Sequence, residues 1–276
     1  MPSSIRDISL FSQALQMCAL VYHSCVRNIR KSHRSPILAI ISNLLQTLIF
    51  VIVFYVMFEF LGLRGTALRG DFLIYIMTGV FLFLTHVKSL SAVLGSEGPA
   101  SPIMQHGPMS TAILIAAGML STLYVQITSA LVVLIFYDFA FNPGILKTID
   151  DPMGALGMLL LSWFTGGGVG LIFLAAKPWF PMLVNILSSV YQRANMIASG
   201  KLIVANALPA HIIVLFDWNP LFHVIDQCRG YAFINYTPRH TSWEYALKVG
   251  ICLVALGLMC EFMTRKGASR SWTARQ

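Results

Sequence analysis

The chain has 276 residues, of which 57% are hydrophobic and 11% are charged, and its mean hydropathy is +0.72. Soluble domains carry about 25% charged residues, so this composition excludes an ordinary soluble protein and predicts an all-α polytopic membrane protein. The net charge of +8 does not indicate nucleic-acid binding, because the basic residues lie mainly in two terminal clusters beside apolar segments. The five cysteines form no closely spaced pair, so we expect no disulfide framework, metal site or cofactor in this chain.

The first segment, from Ser9 to Arg30, mixes apolar and polar residues in a pattern typical of an amphipathic helix lying in the lipid headgroup plane. Basic residues around Arg34 follow it and predict that this side of the membrane is cytoplasmic. Two roles remain open for this helix. It either anchors the first span or contacts a partner.

Six apolar segments follow, each near the roughly 20 residues that a helix needs to cross the hydrocarbon core. Basic residues also follow the last one, so an even number of spans predicts that both termini are cytoplasmic. We divide the single transmembrane domain 1–276 into an interface helix and basic cluster (1–35), a six-span domain (36–263) and a basic tail (264–276). The predicted spans are Pro36 to Leu61, Phe72 to Leu94, Ala112 to Tyr137, Met153 to Ala176, Met182 to Val204 and Tyr245 to Phe262.

The fourth span contains the glycines Gly166, Gly167, Gly168 and Gly170, which favour close packing between helices. Around thirty residues separate the fifth and sixth spans, and they are too apolar for a solvated loop. Two re-entrant half-helices, broken at Pro209 and Pro220, satisfy their backbone better than a coil, provided that protein surrounds them.

A set of short motifs resembles the permease subunit of type-2 ABC exporters for capsular polysaccharide and O-antigen. The resemblance covers nearly the whole chain in topology, and the Asn-Pro-Leu-Phe-His segment is its most specific part. One departure is that Lys201-Leu202-Ile203-Val204 stands where such permeases usually carry aromatic residues. The motifs are Ser199-Gly200, Ala207-Leu208-Pro209, Trp218-Asn219-Pro220-Leu221-Phe222-His223-Val224-Ile225, Arg229-Gly230-Tyr231, Arg34-Ser35-Pro36 and Thr78-Gly79-Val80.

The resemblance implies a homodimeric permease that binds two ABC ATPase subunits and exports a lipid-linked capsular or cell-surface polysaccharide across the bacterial inner membrane. Membrane lipid and periplasmic or outer-membrane export components are its further implied partners. The chain has no Gly-x-x-x-x-Gly-Lys-Ser/Thr loop, so it is not expected to be an enzyme, and ATP and Mg are expected on the separate ATPase.

The loop from Gly95 to Ser110 corresponds, by the same resemblance, to the coupling helix that inserts into the ATPase. A plain connecting turn is the alternative. The expected ATPase-coupling residues are Glu97, Ser101, Met104, Gln105 and His106.

A sliding polymer needs hydrogen-bonding groups and flat apolar faces along its route. The first span carries amides and aromatic residues on one helical stripe, and an arginine within the fifth span is costly unless it faces water or a partner. Alternatives remain open for these residues. The stripe could serve packing between helices, and Arg193 could form a salt bridge or snorkel to the surface. His223 and Asp226, three residues apart, could form an acid–base pair, but capping of the helix or contact with its neighbour is favoured. The candidate substrate-pathway residues are Asn43, Gln46, Phe50, Phe54, Tyr191, Gln192, Arg193, Trp218, Phe222, His223, Arg229 and Tyr231.

Two other classes of protein fit parts of the sequence. One is a type-2 ABC exporter of a small molecule or lipid, which would need a compact pocket rather than a spread-out stripe. The other is a membrane-embedded transferase, which should gather His, Asp or Glu at one membrane depth. Because the acidic residues are scattered and lie mostly in predicted loops, the pattern favours the transporter.

Overall fold

The computed structural model describes residues 10–32, 35–60, 68, 70–96 and 110–273. Within these ranges the chain is helical, with turns and short connections and no β-strand. The helices are α1 (Leu10–Ser32), α2 (Pro36–Phe60), α3 (Phe72–Leu94), α4 (Thr111–Ala140), α5 (Pro152–Ala176), α6 (Pro181–Ala198), α7 (Ala210–Phe216), α8 (Pro220–Ala232) and α9 (Trp243–Thr273), with 3₁₀ turns at Ile145–Thr148 and Ala205–Ala207.

Five of the described helices are long and apolar enough to cross a membrane. This gives the chain the character of a multi-pass membrane protein, as its composition predicts. The five segments are Ile40–Phe60, Phe72–Leu94, Thr111–Ala140, Pro152–Ala176 and Trp243–Thr264.

Local capping explains why several of these helices begin where the sequence predicts. The Asp71 carboxylate accepts the backbone N–H of Leu73 at 2.8 Å and so caps the first turn of α3. Asp151 caps α5 in the same way, with Pro152 at the first helical position, where its missing N–H removes no hydrogen bond. The Ser110 hydroxyl caps α4.

The predicted span from Met182 to Val204 is not present as one continuous helix. α6 ends at Ala198, and residues 199–204 form a turn. Gly200 has a φ of +67°, a left-handed conformation that ends a helix and favours glycine. α6 is therefore shorter than the predicted span, and it is not among the five apolar helices described above.

Helices α3 and α5 form the centre of the bundle. Their most apolar stretches are 78% and 67% buried, against 22% for those of α2, α4 and α9. α5 packs between α3 and α9. A Cβ on Gly170 would lie 2.8 Å from the Leu90 carbonyl oxygen of α3, and one on Gly166 would overlap the His86 backbone. These glycines therefore let the two helices pack closely, as the sequence predicts.

The segment between α6 and α9 contains the two short helices α7 and α8, which begin directly after Pro209 and at Pro220. α8 packs against α3, α5 and α9. Most of its residues are buried, including Leu221, Val224 and Ile225. A short helix thus lies inside the bundle between longer ones, whereas α6 has few contacts with other helices.

Candidate functional site

The candidate site is built around the turn that follows α6, which we call the 199–204 turn. Two glycines allow this turn to sit close to its neighbours. A Cβ on Gly79 of α3 would lie 2.6 Å from the Lys201 carbonyl oxygen, and one on Gly200 would lie 2.5 Å from the Phe222 ring of α8. The turn is therefore held between α3 and α8 at van der Waals distance.

Arg229 of α8 fixes the backbone of this turn. Its guanidinium donates to the carbonyls of Gly200 at 2.9 Å, Ile203 at 2.8 Å and Lys201 at 2.5 Å. Arg229 is fully buried, and its guanidinium lies 4.3 Å from the centre of the Tyr75 ring. The planar fork of arginine suits several carbonyls at once, so these contacts give Arg229 a structural role. Whether it also meets a substrate stays a prediction.

Asn219 connects the other side of the turn to α8. Its side-chain NH₂ donates to the Asn195 side-chain oxygen at 2.8 Å and to the Ala198 carbonyl at 3.0 Å. Its side-chain oxygen accepts the Leu221 N–H at 3.1 Å and so caps α8. The Asn-Pro pair therefore joins the end of α6 to the start of α8.

Lys201 is the residue that departs from the aromatic pattern of the resembled family, and it sits among aromatic rings. Its ammonium lies 3.7 Å from the centre of the Phe83 ring, 4.9 Å from that of Phe54 and 5.7 Å from that of Phe50. The residue is 2% exposed, and its Nζ has no hydrogen-bond partner among the described residues. The three aromatic rings thus attract the Lys201 ammonium, as an anion would otherwise do.

The predicted stripe on α2 faces the protein interior over most of its length. Asn43, Thr47 and Phe54 are buried, Phe50 is half-buried and Gln46 is exposed. The Asn43 side-chain NH₂ donates to the Ser129 hydroxyl at 2.5 Å, and its oxygen accepts the Lys88 ammonium. The amide end of the stripe therefore packs against α3 and α4, whereas the aromatic end meets Lys201. A pathway role for the stripe stays a prediction.

Tyr191 of α6 belongs to a buried polar chain that the sequence did not reveal. Its hydroxyl lies 3.0 Å from the His86 Nε2, and the His86 Nδ1 lies 3.2 Å from the Thr165 hydroxyl. His86 is fully buried in α3. In the sequence it is one histidine in a mainly apolar segment. Only its hydrogen-bond partners in the structure show that it connects α3 with α5 and α6. Gln192 is half-buried and Arg193 is exposed.

His223 and Asp226 bind different groups and do not form an acid–base pair with each other. Ser242 N–H donates to His223 Nδ1 at 3.0 Å, so Nε2 carries the proton and donates to the Asp217 carbonyl at 2.7 Å. Asp226 accepts the Tyr236 hydroxyl at 2.5 Å and the Thr241 hydroxyl at 2.8 Å. The two side chains tie the segment that follows α8 to the bundle.

Tyr236 lies in that connecting segment, outside the long helices. Burial, and next the neighbouring Asp226 carboxylate, raise the pKa of Tyr236 above its ordinary value. Its hydroxyl therefore keeps its proton and donates to Asp226. This hydrogen bond ties the segment that follows α8 to the middle of the helix.

The remaining predicted residues are spread around the bundle. Trp218 is 65% exposed, and its indole N–H donates to the Leu215 carbonyl at 2.6 Å. Phe222 is buried against the 199–204 turn. Tyr231 is half-buried, and its carbonyl accepts the Asp151 N–H at 2.8 Å. The predicted ATPase-coupling residues Glu97, Ser101, Met104, Gln105 and His106 lie outside the described residues.

The structure thus brings Phe50, Phe54, Phe222 and Arg229 together around the 199–204 turn, and leaves Arg193 and Trp218 on the surface. Among the described residues, no group of three His, Cys, Asp or Glu side chains is placed to hold a metal ion. Comparison with known protein families and with curated proteins finds no match to this chain.

Proposed function

We propose that the chain is the membrane-spanning permease subunit of an ATP-driven type-2 exporter, and that it moves a capsular or other cell-surface polysaccharide, linked to a lipid, across a bacterial inner membrane. Its five long apolar helices and its buried short helix α8 are compatible with this role. The proposal rests on the resemblance of its motifs to those of such permeases.

The observation that carries the proposal is the meeting of those motifs at one place. Gly79, Phe222 and Arg229 come from three separate motifs, and all three contact the 199–204 turn, which contains the Gly200 motif. Packing alone does not require that the motif on α3 meet those of the turn and of α8 at one site. Their convergence is expected if the turn and α8 together form a working part of the permease.

In the proposed topology, α6 and the 199–204 turn serve as the fifth of six spans. α7 and α8 form the re-entrant pair on the outer side, and both termini are cytoplasmic. α6 would face a second copy of the chain, since apolar residues such as Leu183, Ile186 and Val190 are exposed along it. Arg193 then lies beside the route of the polymer.

The ATPase would dock on the cytoplasmic loop between α3 and α4, which contains Glu97 and His106. We would purify the tagged full chain from its native host in mild detergent and identify the accompanying proteins by mass spectrometry. We expect an ATP-hydrolysing subunit at equal stoichiometry. Recovery of the chain alone, without ATP turnover in several detergents, would contradict the proposal.

A pair of loop variants sharpens this experiment. Replacing Gln105 and His106 together with Ala should reduce recovery of the ATPase, because both lie in the proposed docking loop. The matched control is Asp138→Ala, at the opposite end of α4, which should leave recovery unchanged. Equal recovery with both variants would place the docking surface elsewhere.

A further inference from the structure

A cavity lies where α1, α2, α3 and α4 meet. Its volume is about 270 Å³, and it opens to the surface of the chain. Eight of the ten described residues that line it have side chains able to form hydrogen bonds, and one of them, Lys88, is cationic. The lining residues are Asn28, Ile29, Ser42, Asn43, Gln46, Lys88, Ser121, Thr122, Val125 and Gln126.

The cavity lies near one end of both α2 and α3. Asn43 comes seven residues after the start of α2 at Pro36, and Lys88 comes six residues before the end of α3 at Leu94. Because consecutive spans run in opposite directions, these two helix ends lie on the same side of the bundle. At about 1.5 Å per residue, both side chains are attached about 10 Å from that side.

The polar groups of the cavity are only partly satisfied by one another. Lys88 donates to the Asn43 side-chain oxygen, and the Gln126 NH₂ donates to the Thr85 hydroxyl at 3.3 Å. Gln126 is fully buried, yet its Oε1 has no hydrogen-bond donor among the described residues. A buried acceptor without a donor is costly, so the site favours a ligand or water that can donate to it.

The charges of the wall select among ligands. None of the described residues that line the cavity is acidic, so the Lys88 ammonium favours an anion there. The amides and hydroxyls around it suit a group that also carries hydroxyls. A phosphate diester with free hydroxyls beside it combines both properties.

We propose that this cavity binds the headgroup of a membrane phospholipid that carries a phosphate diester and free hydroxyls, as phosphatidylglycerol does. Lys88 contacts the phosphate, and Gln126 Oε1 accepts a hydroxyl of the headgroup. Asn28 of α1 closes one side, so the bound lipid links α1 to the bundle. The inference does not depend on what the chain transports.

The test uses the purified full chain, freed of lipid in a neutral detergent. Short-chain phosphatidylglycerol, phosphatidylcholine of equal chain length and free glycerol phosphate are added separately, and binding is measured by native mass spectrometry and thermal shift. Phosphatidylcholine keeps the phosphate but has a quaternary ammonium in place of hydroxyls. We expect phosphatidylglycerol to bind at least about tenfold more tightly than phosphatidylcholine, because only it can satisfy Lys88 and Gln126 together.

Free glycerol phosphate separates a headgroup site from a site for soluble phosphate esters. It should bind more weakly than the lipid, because it lacks the acyl chains that the surrounding membrane region would hold. Binding of the free compound as tight as that of the lipid would overturn the assignment to a lipid. Equal binding of both lipids would overturn it as well, because the headgroup hydroxyls would then contribute nothing to binding.

Variants assign the binding to this cavity. Gln46→Glu adds a negative charge at an exposed position of the wall, so the fold should tolerate it while the preference for phosphatidylglycerol falls by about tenfold. Lys88→Met should have the same effect. The control is Lys177→Met, which removes a lysine near the same side of the bundle, where it donates to the Leu94 carbonyl. An equal loss with Lys177→Met would show general charge attraction and overturn the proposal.

Discussion

Substitution of two arginines near the candidate site should distinguish a residue needed for stability from one needed for transport. Arg229 is fully buried and donates three hydrogen bonds to the 199–204 turn, whereas Arg193 is exposed on α6. Replacing Arg229 with Ala removes these three hydrogen bonds, although the Gly200 carbonyl keeps a second donor, the Ile203 N–H at 3.2 Å. Each lost bond to a charged donor costs about 1–2 kcal/mol, so the variant should lose about 3–6 kcal/mol in free energy of unfolding. Arg193→Ala should change stability by less than about 0.5 kcal/mol.

The assay heats the purified chain in detergent and measures the folded fraction by size-exclusion chromatography. At about 2–4 °C per kcal/mol, Arg229→Ala should lower the melting temperature by about 10 °C. Arg193→Ala should keep the melting temperature and reduce export at an equal amount of protein. Two equal melting temperatures would refute the structural role of Arg229, and normal export by Arg193→Ala would make Arg193 a surface residue without a role in transport.

Three further predictions concern the packing and the buried polar groups of the bundle. Gly166→Leu should prevent folding, because the new side chain would overlap the His86 backbone. Its control, Gly157→Leu, should fold, since a Cβ at Gly157 meets open space. The yield of each variant in the membrane measures the difference. Lys201→Met should keep or raise the melting temperature, because it removes a buried cation yet fills the same space among the three phenylalanine rings. A loss of more than about 2 kcal/mol in free energy of unfolding would mean that the cation–π contacts outweigh the cost of desolvating the ammonium. Asp226→Leu should lower thermal stability by about 2–4 kcal/mol, since two hydroxyls lose their acceptor, and an unchanged melting temperature would contradict the role given to those bonds.

The helices were predictable because their signals are local. Runs of about twenty or more mainly apolar residues predicted the five long helices. Asp151 followed by Pro152 marks a helix start that depends on neighbouring residues alone. Pro209 and Pro220 likewise predicted the two short helices, because proline ends the helix before it and begins the one after it. That these two form a re-entrant pair stays a prediction.

The site was predictable only in part, because its contacts join residues far apart in sequence. The end of α6 was missed because apolar residues continue to Val204, while Gly200 and the Arg229 fork decide the backbone there. Hydrogen bonds from one guanidinium to three backbone carbonyls leave no periodic pattern in the sequence. Lys201 likewise looked like an isolated departure, since three phenylalanines on two helices surround it.

The hydrogen bonds that join Tyr191, His86 and Thr165 could not be predicted from the sequence. Tyr191 was a candidate pathway residue, but its partners lie on two other helices, far away in sequence. The polar residues of the α2 stripe were predicted as a group from their helical spacing. That spacing does not show whether the stripe faces a pathway or packs against other helices. The structure places Asn43 against α3 and α4.

The measurement that tests the central proposal most directly is the location of the cell-surface polysaccharide after deletion of this chain in its native host. If the chain is the permease, the polymer should disappear from the surface and accumulate inside the cell, and the wild-type chain should restore it. An unchanged surface polysaccharide would contradict the proposal. Loss of the polymer both inside and outside would instead indicate an enzyme of its synthesis.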